Sequence, residues 1–229
     1  MKVVGIIGSS GFLGQHLLSF FSSHSKTIKV ISFVGDIRKQ KQTDRFVAKC
    51  ALVINLAGAN KEETDQEIIE TNIVGTINVV NACYSHKKGF LTCVERKLTN
   101  DAFSVSKNVQ KSVVSEYNKL GFQGFMMKLD PVIGPSRPIV YHNQWVKWIK
   151  DEKQILELLD VDDVCKWIFS FSDAFLTNGS FYVKEFEFWD PIRVSVKDLV
   201  SLLNGSAVEN VSLEHAQKIL KCNGMEKNI

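Results

Sequence analysis

The feature that most constrains this chain is a strand, a glycine-rich turn and a helix at its start. Val3–Ile7 is a short β-branched run, and Phe12–Ser23 repeats apolar residues at helical spacing. Between them Gly8, Gly11 and Gly14 follow the spacing Gly-x-x-Gly-x-x-Gly. A strand that enters a helix through so short a turn is typical of the first unit of a parallel α/β sheet.

The same alternation of strand and helix continues along the chain. It predicts strands at Ile28–Val34, Ala51–Leu56, Gly89–Val94 and Gly124–Leu129, a short helix ending at Arg45–Lys49, and long helices at Gln66–His86 and Ala102–Leu120. Buried strands separated by amphipathic helices indicate an α/β fold with a doubly wound, Rossmann-type parallel sheet, covered on both faces.

The pattern changes after Pro138. There it predicts helices at Asn143–Lys150, Val161–Ser172 and Ser195–Leu203, a strand at Ser180–Phe188, and a surface helix at Leu213–Leu220 in a polar tail. We therefore expect a core over residues 1–135 and a small lobe with returning elements and the tail over 136–229, in one structural domain overall.

The composition excludes several classes of protein. The 229 residues carry a net charge of only +3, without the basic stripe that nucleic-acid binding requires. The five cysteines form no Cys-x-x-Cys pair, so we expect neither a metal site nor a disulfide framework, and a reducing, cytoplasmic compartment. No apolar stretch reaches the length of a membrane span, and we expect no secretory signal.

The glycine turn predicts a phosphate site. Gly8 permits the tight turn, Gly11 lets backbone amides approach a pyrophosphate, and Gly14 lets the helix pack on the strand. The amides of the turn, at Ser10, Gly11, Phe12, Leu13 and Gly14, then hold the phosphates together with the positive end of the helix dipole. A nicotinamide dinucleotide is the expected ligand, and a glycine-rich turn without a ligand is the alternative.

Two charged residues follow the second strand. A carboxylate at Asp36 can bond the adenosine ribose hydroxyls, which favours NAD, whereas Arg38 can meet a 2′-phosphate, which favours NADP. Both can also be ordinary loop charges. The sequence leaves the choice of cofactor open.

Further stretches carry a resemblance to a known family. Beside the glycine turn they are Asn55–Gly58, Thr71–Asn78, Pro131–Pro135 and Leu159–Val164. Together they resemble the extended short-chain dehydrogenases/reductases, the NAD-dependent epimerases and dehydratases of nucleotide sugars. The chain is most similar to the reductase domain of enzymes that make N-acetyl-L-fucosamine precursors for capsules and O-antigens, and the likeness covers roughly residues 1–204.

The resemblance implies further contacts and one departure in the fold. It places Leu56, Ala57 and Gly58 beside the cofactor, and Pro131 and Ile133 in the turn beside the nicotinamide. About sixteen residues separate Val34 from Ala51, too few for the family's third strand, so we expect six strands rather than seven. The family's aspartate at the start of the next strand is Ala51 here.

The resemblance also implies a catalytic set with one member lost. The family places a tyrosine four residues before a lysine on one helix face, and here the pair is Phe103 and Lys107. Phenylalanine has no proton to transfer, whereas a positioned acid or base typically contributes about 10²–10⁴-fold in rate. The orienting serine falls at Thr92, Cys93 or Val94, of which Thr92 can serve.

A helix asparagine and the substrate side complete the implied site. Asn72 matches the asparagine that supports the lysine, with a helix-kink or capping role as the equal alternative. The implied nucleotide-sugar contacts are Arg137, Tyr141, His142 and Asn143. The family also implies a homodimer through the two long helices.

Two functions remain open: an NAD(P)-dependent enzyme of nucleotide sugars in polysaccharide biosynthesis, or an inactive NAD(P)-binding sensor or partner protein.

Overall fold

The structure, a computed structural model, describes residues 1–59, 63–95, 101–135, 151, 153–187, 191–204 and 211–222. The chain divides into two compact units. The first unit comprises residues 1–129 and 165–187, and the second comprises residues 130–164 and 188–229.

A six-stranded parallel sheet forms the first unit. Its strands are β1 (Lys2–Ile7), β2 (Ile28–Ser32), β3 (Leu52–Asn55), β4 (Gly89–Glu95), β5 (Gly124–Leu129) and β8 (Glu185–Glu187), in the order β2-β1-β3-β4-β5-β8. All five ladders are parallel. Among the described residues no strand pairs with the outer edge of β2. The predicted Rossmann-type sheet of six strands is confirmed.

Helices cover this sheet on both faces. They are α1 (Phe12–His24), α2 (Gln40–Val47), α3 (Asp65–Ile68), a π-helix (Ile69–Val74), α4 (Gly75–Ser85), α5 (Ala102–Lys119) and, from residue 165 onward, α6 (Val161–Asn178). The long helix predicted over Gln66–His86 is therefore helical but contains a π segment, which the 3.6-residue periodicity does not reveal. None of the described helices combines the length and apolarity that a membrane crossing requires.

Strand alternation separates two cores within the first unit. On one face Val79 and Val114, from α4 and α5, pack against Phe90 and Met126 of the sheet, and all four are buried. On the other face Phe125 of β5 lies in an aromatic cluster with Phe171, Phe175 and Phe181 at ring-centroid distances of 5.0, 5.5 and 6.1 Å. Successive side chains of a strand point to opposite faces, so each face has its own core.

The second unit contains a three-stranded sheet and helices. Its elements are β6 (Val132–Ile133), β7 (Ile155–Asp160), β9 (Ile192–Ser195), α7 (Val196–Leu203) and α8 (Leu213–Cys222). β7 pairs with β6 in parallel and with β9 in antiparallel orientation. Strands β7 and β9 were not predicted, because their pairing joins residues about forty positions apart and local periodicity does not report it.

The C-terminal half agrees with the prediction in part. Of the strand predicted at Ser180–Phe188, the structure has the three residues of β8. The amphipathic helix predicted at Leu213–Leu220 is α8, in which Ile219 and Leu220 are buried and Ile219 joins the core of the second unit. The helix predicted at Asn143–Lys150 lies outside the described residues.

Candidate functional site

A cleft of about 500 Å³ opens in the first unit where β1, β2 and β3 end. The loop after β1 contributes Gly8, Ser9 and Ser10, the loop after β2 contributes residues 33 and 35–38, and the loop after β3 contributes Ala57. Ligands of open parallel sheets bind outside the carboxyl ends of the strands, at this edge. The cleft is therefore the candidate site.

The glycine turn has the geometry that the sequence predicts for Gly8 and Gly14. Gly8 has φ +82°, and a Cβ on it would lie 2.5 Å from the amide nitrogen of Ala57. A Cβ on Gly14 would lie 2.2 Å from the carbonyl oxygen of Gly8. No side chain caps the start of α1, whose N-cap is Gly11, and no acidic residue occupies its first turn. Within its own first turn, α1 thus has no carboxylate to neutralise the positive end of the helix dipole.

The charged residues after β2 form a compact ion pair at the cleft. The Arg38 guanidinium donates from Nε to one Asp36 carboxylate oxygen and from Nη2 to the other, each at 2.9 Å. Nη1 of Arg38 also donates to Glu70 of the π-helix at 3.3 Å. The hydrogen bond from Arg38 holds the pKa of Asp36 below its ordinary value, so this carboxylate is ionised at neutral pH.

Phe103 and Lys107 lie together on α5, one helical turn apart. The Asp101 carboxylate caps this helix by accepting a hydrogen bond from the Ser104 amide at 2.7 Å. Nζ of Lys107 lies 5.4 Å from the centroid of the Phe103 ring. A Cβ on Gly58 would lie 3.3 Å from the same Nζ. The ammonium group is therefore positioned above the backbone that follows β3, beside an aromatic ring that carries no hydroxyl.

Asn72 is a buried anchor between this backbone and α5. Its Oδ1 accepts from the Ala59 amide at 2.8 Å, and its Nδ2 donates to the Ala59 carbonyl at 3.3 Å and to Ser106 Oγ at 2.9 Å. Gln110 in turn donates to the Asn72 carbonyl at 2.8 Å. A π-helix carries Asn72, and such segments occur frequently at functional sites. The asparagine thus holds in place the loop that lies against Lys107.

The position of the orienting serine falls on β4. Thr92 is buried, and its hydroxyl donates to the carbonyl of Asn55 at 3.1 Å. Cys93 points to the opposite face of the strand. Burial raises the pKa of its thiol, the positive charge of Lys107 partly offsets this, and the net result is a pKa of about 12. The Thr92 hydroxyl thus bonds a backbone oxygen in this structure, and its catalytic role stays a prediction.

Several polar residues of the site were not found by sequence reasoning. Ser106 and Gln110 bond Asn72, and no motif identifies them because their partners are more than thirty residues away. Asn55, at the end of β3, keeps a buried Nδ2 without a hydrogen-bond partner in the described part of the chain. Only the folded sheet brings β3, the π-helix and α5 together.

No described tyrosine takes the place of the lost hydroxyl. Tyr84 and Tyr117 contact each other with ring centroids 5.4 Å apart. Tyr117 lies fourteen residues beyond Phe103 on the same helix, which corresponds to about 21 Å. Tyr182 is fully exposed in the loop before β8.

The remaining predicted residues belong to the second unit or lie outside the described residues. Arg137, Tyr141, His142 and Asn143 lie outside the described residues. Pro131 and Ile133 belong to the second unit, where the Pro131 carbonyl accepts from the Leu159 amide at 2.9 Å and Ile133 is fully buried. Their contact with a cofactor stays a prediction.

The fold and the cleft define a Rossmann-type α/β architecture. The family model of the NAD dependent epimerase/dehydratase family matches residues 4–94. The matched segment includes the glycine turn, Asp36, Gly58 and Asn72 and ends before Phe103 and Lys107. The segment thus resembles that family over the cofactor half of the site. A comparison with curated proteins gives no match.

Solved structures share the fold at low sequence identity. RMD from Pseudomonas aeruginosa, complexed with NADPH, has a TM-score of 0.75 and 14% identity, over 100% of this chain and 99% of that protein. WbmH from Bordetella bronchiseptica, in complex with NAD+, has a TM-score of 0.70 and 17% identity, over 90% and 81%. DesIV, a dTDP-glucose 4,6-dehydratase from Streptomyces venezuelae with NAD and TYD bound, has a TM-score of 0.70 and 14% identity, over 90% and 82%.

Proposed function

We propose that the first unit binds a nicotinamide dinucleotide, NAD(H) or NADP(H), in the cleft at the carboxyl ends of β1–β3. The observation that carries the proposal is the glycine turn, in which a Cβ at Gly14 would lie 2.2 Å from the Gly8 carbonyl. So close an approach of helix and strand aims the N-terminus of α1 at the cleft, where it can hold a pyrophosphate. Related structures solved with NAD+ or NADPH support the same ligand.

The residues of the cleft fit the parts of such a cofactor. Asp36 and Arg38 would meet the adenosine ribose, the turn from Gly8 to Gly14 would meet the pyrophosphate, and Lys107 would bond the nicotinamide ribose above Gly58. A nicotinamide ring, when bound, accepts or donates a hydride. The protein itself would position the dinucleotide. Asn72 contributes by accepting a hydrogen bond from the Ala59 amide, which fixes the loop that lies against Lys107.

At the level of the reaction, we propose a relation to the NAD-dependent reductases, epimerases and dehydratases of nucleotide sugars in cytoplasmic polysaccharide biosynthesis, including N-acetyl-L-fucosamine synthesis. The matching family model and the dTDP-glucose dehydratase among the similar structures support this class. A nucleotide-diphosphate sugar is then the second ligand. Arg137, Tyr141, His142 and Asn143 are the residues proposed to hold it.

Phe103 favours a second candidate, binding without turnover. Its ring lies 5.4 Å from the Lys107 ammonium, as a cation–π neighbour, where the resemblance implies a tyrosine hydroxyl. A benzene ring can neither donate nor accept the proton that sugar carbonyl chemistry moves. The protein would then act as a dinucleotide sensor or as the inactive partner of another enzyme.

One set of assays separates the two functions. NADH and NADPH are titrated first by fluorescence, and binding of neither would refute both. The parent and Phe103→Tyr are then incubated with reduced dinucleotide and a 4-keto sugar nucleotide, and the loss of reduced nicotinamide absorbance is followed. Phe20→Tyr, which adds a hydroxyl on α1, is the matched control.

The outcomes are distinct. An inert parent that gains turnover with Phe103→Tyr alone supports binding without catalysis. A parent that turns over, and loses activity with Tyr141→Phe, supports the enzyme with a substitute proton donor.

We also propose a homodimer through α4 and α5. These helices expose apolar side chains: Val74, at the N-cap of α4, is 42% exposed, Tyr84 is 41% exposed and Val105 is 52% exposed. Covering such side chains with those of a second copy would remove them from water.

A further inference from the structure

The end of the cleft formed by the loop after β2 and by α3 carries an excess of carboxylates. Of the described residues that line the cleft, Asp36, Glu63 and Glu67 are acidic, and Arg38 is the single cation. Hydrogen bonds from Thr64 hold the pKa of Glu67 below its ordinary value, as Arg38 does for Asp36. Both carboxylates are therefore ionised at neutral pH.

The single cation is already engaged on two sides. Asp36 takes Nε and Nη2 of Arg38 in a bidentate pair, at 2.9 Å each. Glu70 takes Nη1 at 3.3 Å and is itself held by Gln66, which donates to its other oxygen at 2.6 Å. The positive charge of the Arg38 guanidinium is therefore outweighed by the two negative charges of Asp36 and Glu70.

The two nicotinamide dinucleotides differ by one phosphate on the 2′-oxygen of the adenosine ribose. A 2′-hydroxyl can bond a carboxylate, whereas a 2′-phosphate brings nearly two further negative charges and requires an available arginine. Near a protein surface, the attraction or repulsion between two charges a few ångströms apart can change an affinity about tenfold or more. The charges around Arg38 therefore distinguish the two ligands.

We propose that the cleft selects NAD(H) over NADP(H), and that Glu70 sets this selectivity by withholding Arg38 from a 2′-phosphate. The inference rests on the proposed binding of a nicotinamide dinucleotide and specifies which one the site takes. Asp36 supplies the ribose contact, and Glu70, which does not line the cleft, acts through Arg38 as a positioning residue.

The test is a comparison of dissociation constants for NAD+ and NADP+, measured by calorimetry on the full chain. The parent is expected to bind NAD+ about tenfold or more tightly than NADP+. Glu70→Gln removes the charge that holds Nη1 and is expected to tighten NADP+ binding several-fold while leaving NAD+ binding nearly unchanged. Asp36→Asn, on another element, is expected to weaken NAD+ and to tighten NADP+.

Glu116→Gln on α5 is the matched control, because it removes one exposed carboxylate outside the cleft and should leave the ratio of the two constants unchanged. Equal binding of the two dinucleotides by the parent, or a ratio that Glu70→Gln leaves unchanged, overturns the inference but leaves dinucleotide binding intact. Binding of neither dinucleotide by the parent overturns the proposed function and the inference with it.

Discussion

Gly14→Ala tests the close approach on which the proposed binding depends. The added Cβ would lie 2.2 Å from the Gly8 carbonyl oxygen and 2.7 Å from Ser9 Cα, where ordinary contact begins at 3.4 Å. Both obstacles are backbone atoms, so α1 or the turn must shift by about 1 Å. Overpacking of this kind costs about 1–3 kcal/mol, and each kcal/mol lowers the Tm of a chain of this size by roughly 2–4 °C.

The same shift moves the amides that would hold the pyrophosphate. Hydrogen bonds to a charged group contribute about 1.5–3 kcal/mol each, so loss of two of them weakens binding on the order of 100-fold or more. Gly14→Ala is therefore expected to lower both the Tm, measured by circular dichroism, and the affinity for NADH, measured by fluorescence titration.

Gly11→Ala separates the two effects within one turn. A Cβ there would lie 3.4 Å from the Gly8 carbonyl, and φ of −73° suits alanine, so the Tm should fall little. The methyl group would instead occupy the space of the approaching phosphates, and NADH affinity should fall steeply. Gly121→Ala is the control for backbone strain: its φ is +85° with no atom within 4 Å, so it should cost about 1–2 kcal/mol of stability without changing binding.

A Gly14→Ala protein with the parent's Tm and affinity would show that helix and turn do not approach each other closely. A Gly11→Ala protein that binds NADH as well as the parent does would show that phosphates do not occupy the turn. The pair of variants thus tests separately whether the turn is tight and whether phosphates occupy it.

Three further predictions concern other parts of the chain. Val105→Glu should shift the mass measured by light scattering from that of a dimer to that of a monomer. Val200→Glu on α7 is the control, because Val200 is 51% exposed and Val105 is 52% exposed, and it should leave the mass unchanged. A monomeric parent would contradict the proposed dimer. Burial raises the pKa of Asp160, so ionisation of this carboxyl destabilises the folded state as the pH rises. Asp160→Asn can keep the hydrogen bond from the Asp162 amide and should therefore raise the Tm more at pH 7 than at pH 3. An equal gain in Tm at the two pH values would contradict this. Because its thiol has a pKa of about 12, Cys93 should react with iodoacetamide at pH 8 far more slowly than a model thiol does. Peptide mass spectrometry measures the extent of labelling, and fast labelling in the folded state would show that the thiol is not protected.

The elements that follow local rules were predictable. The strand, turn and helix at residues 2–24 and the strand Gly124–Leu129 follow from apolar periodicity and glycine spacing, and the short link between β2 and β3 correctly implied a sheet of six strands. These are effects between residues within a few positions of each other. The π segment escaped prediction because one inserted residue alters the helix without altering its apolar composition.

The interior of the candidate site was less accessible to prediction. Asn72 was found by resemblance, with a kink as the alternative, and the structure shows it both in a π-helix and bonded to Ala59. Its partners Ser106 and Gln110 carry no sequence signal, because a serine or glutamine on a helix is ordinarily solvated. Their roles arise when α5 packs beside the π-helix and leaves their polar atoms no water to bond.

The sequence by itself determined that this chain has a glycine turn with the spacing Gly-x-x-Gly-x-x-Gly and a phenylalanine four residues before Lys107. Both are matters of residue type and short spacing, which the chain carries before it folds. Only the tertiary structure decided that Arg38 is shared between Asp36 and Glu70, which lies thirty-two residues after Arg38 along the chain. It also decided that Lys107 lies over Gly58. Which charges neutralise each other in a cleft depends on distances across strands and helices, and folding alone sets those distances.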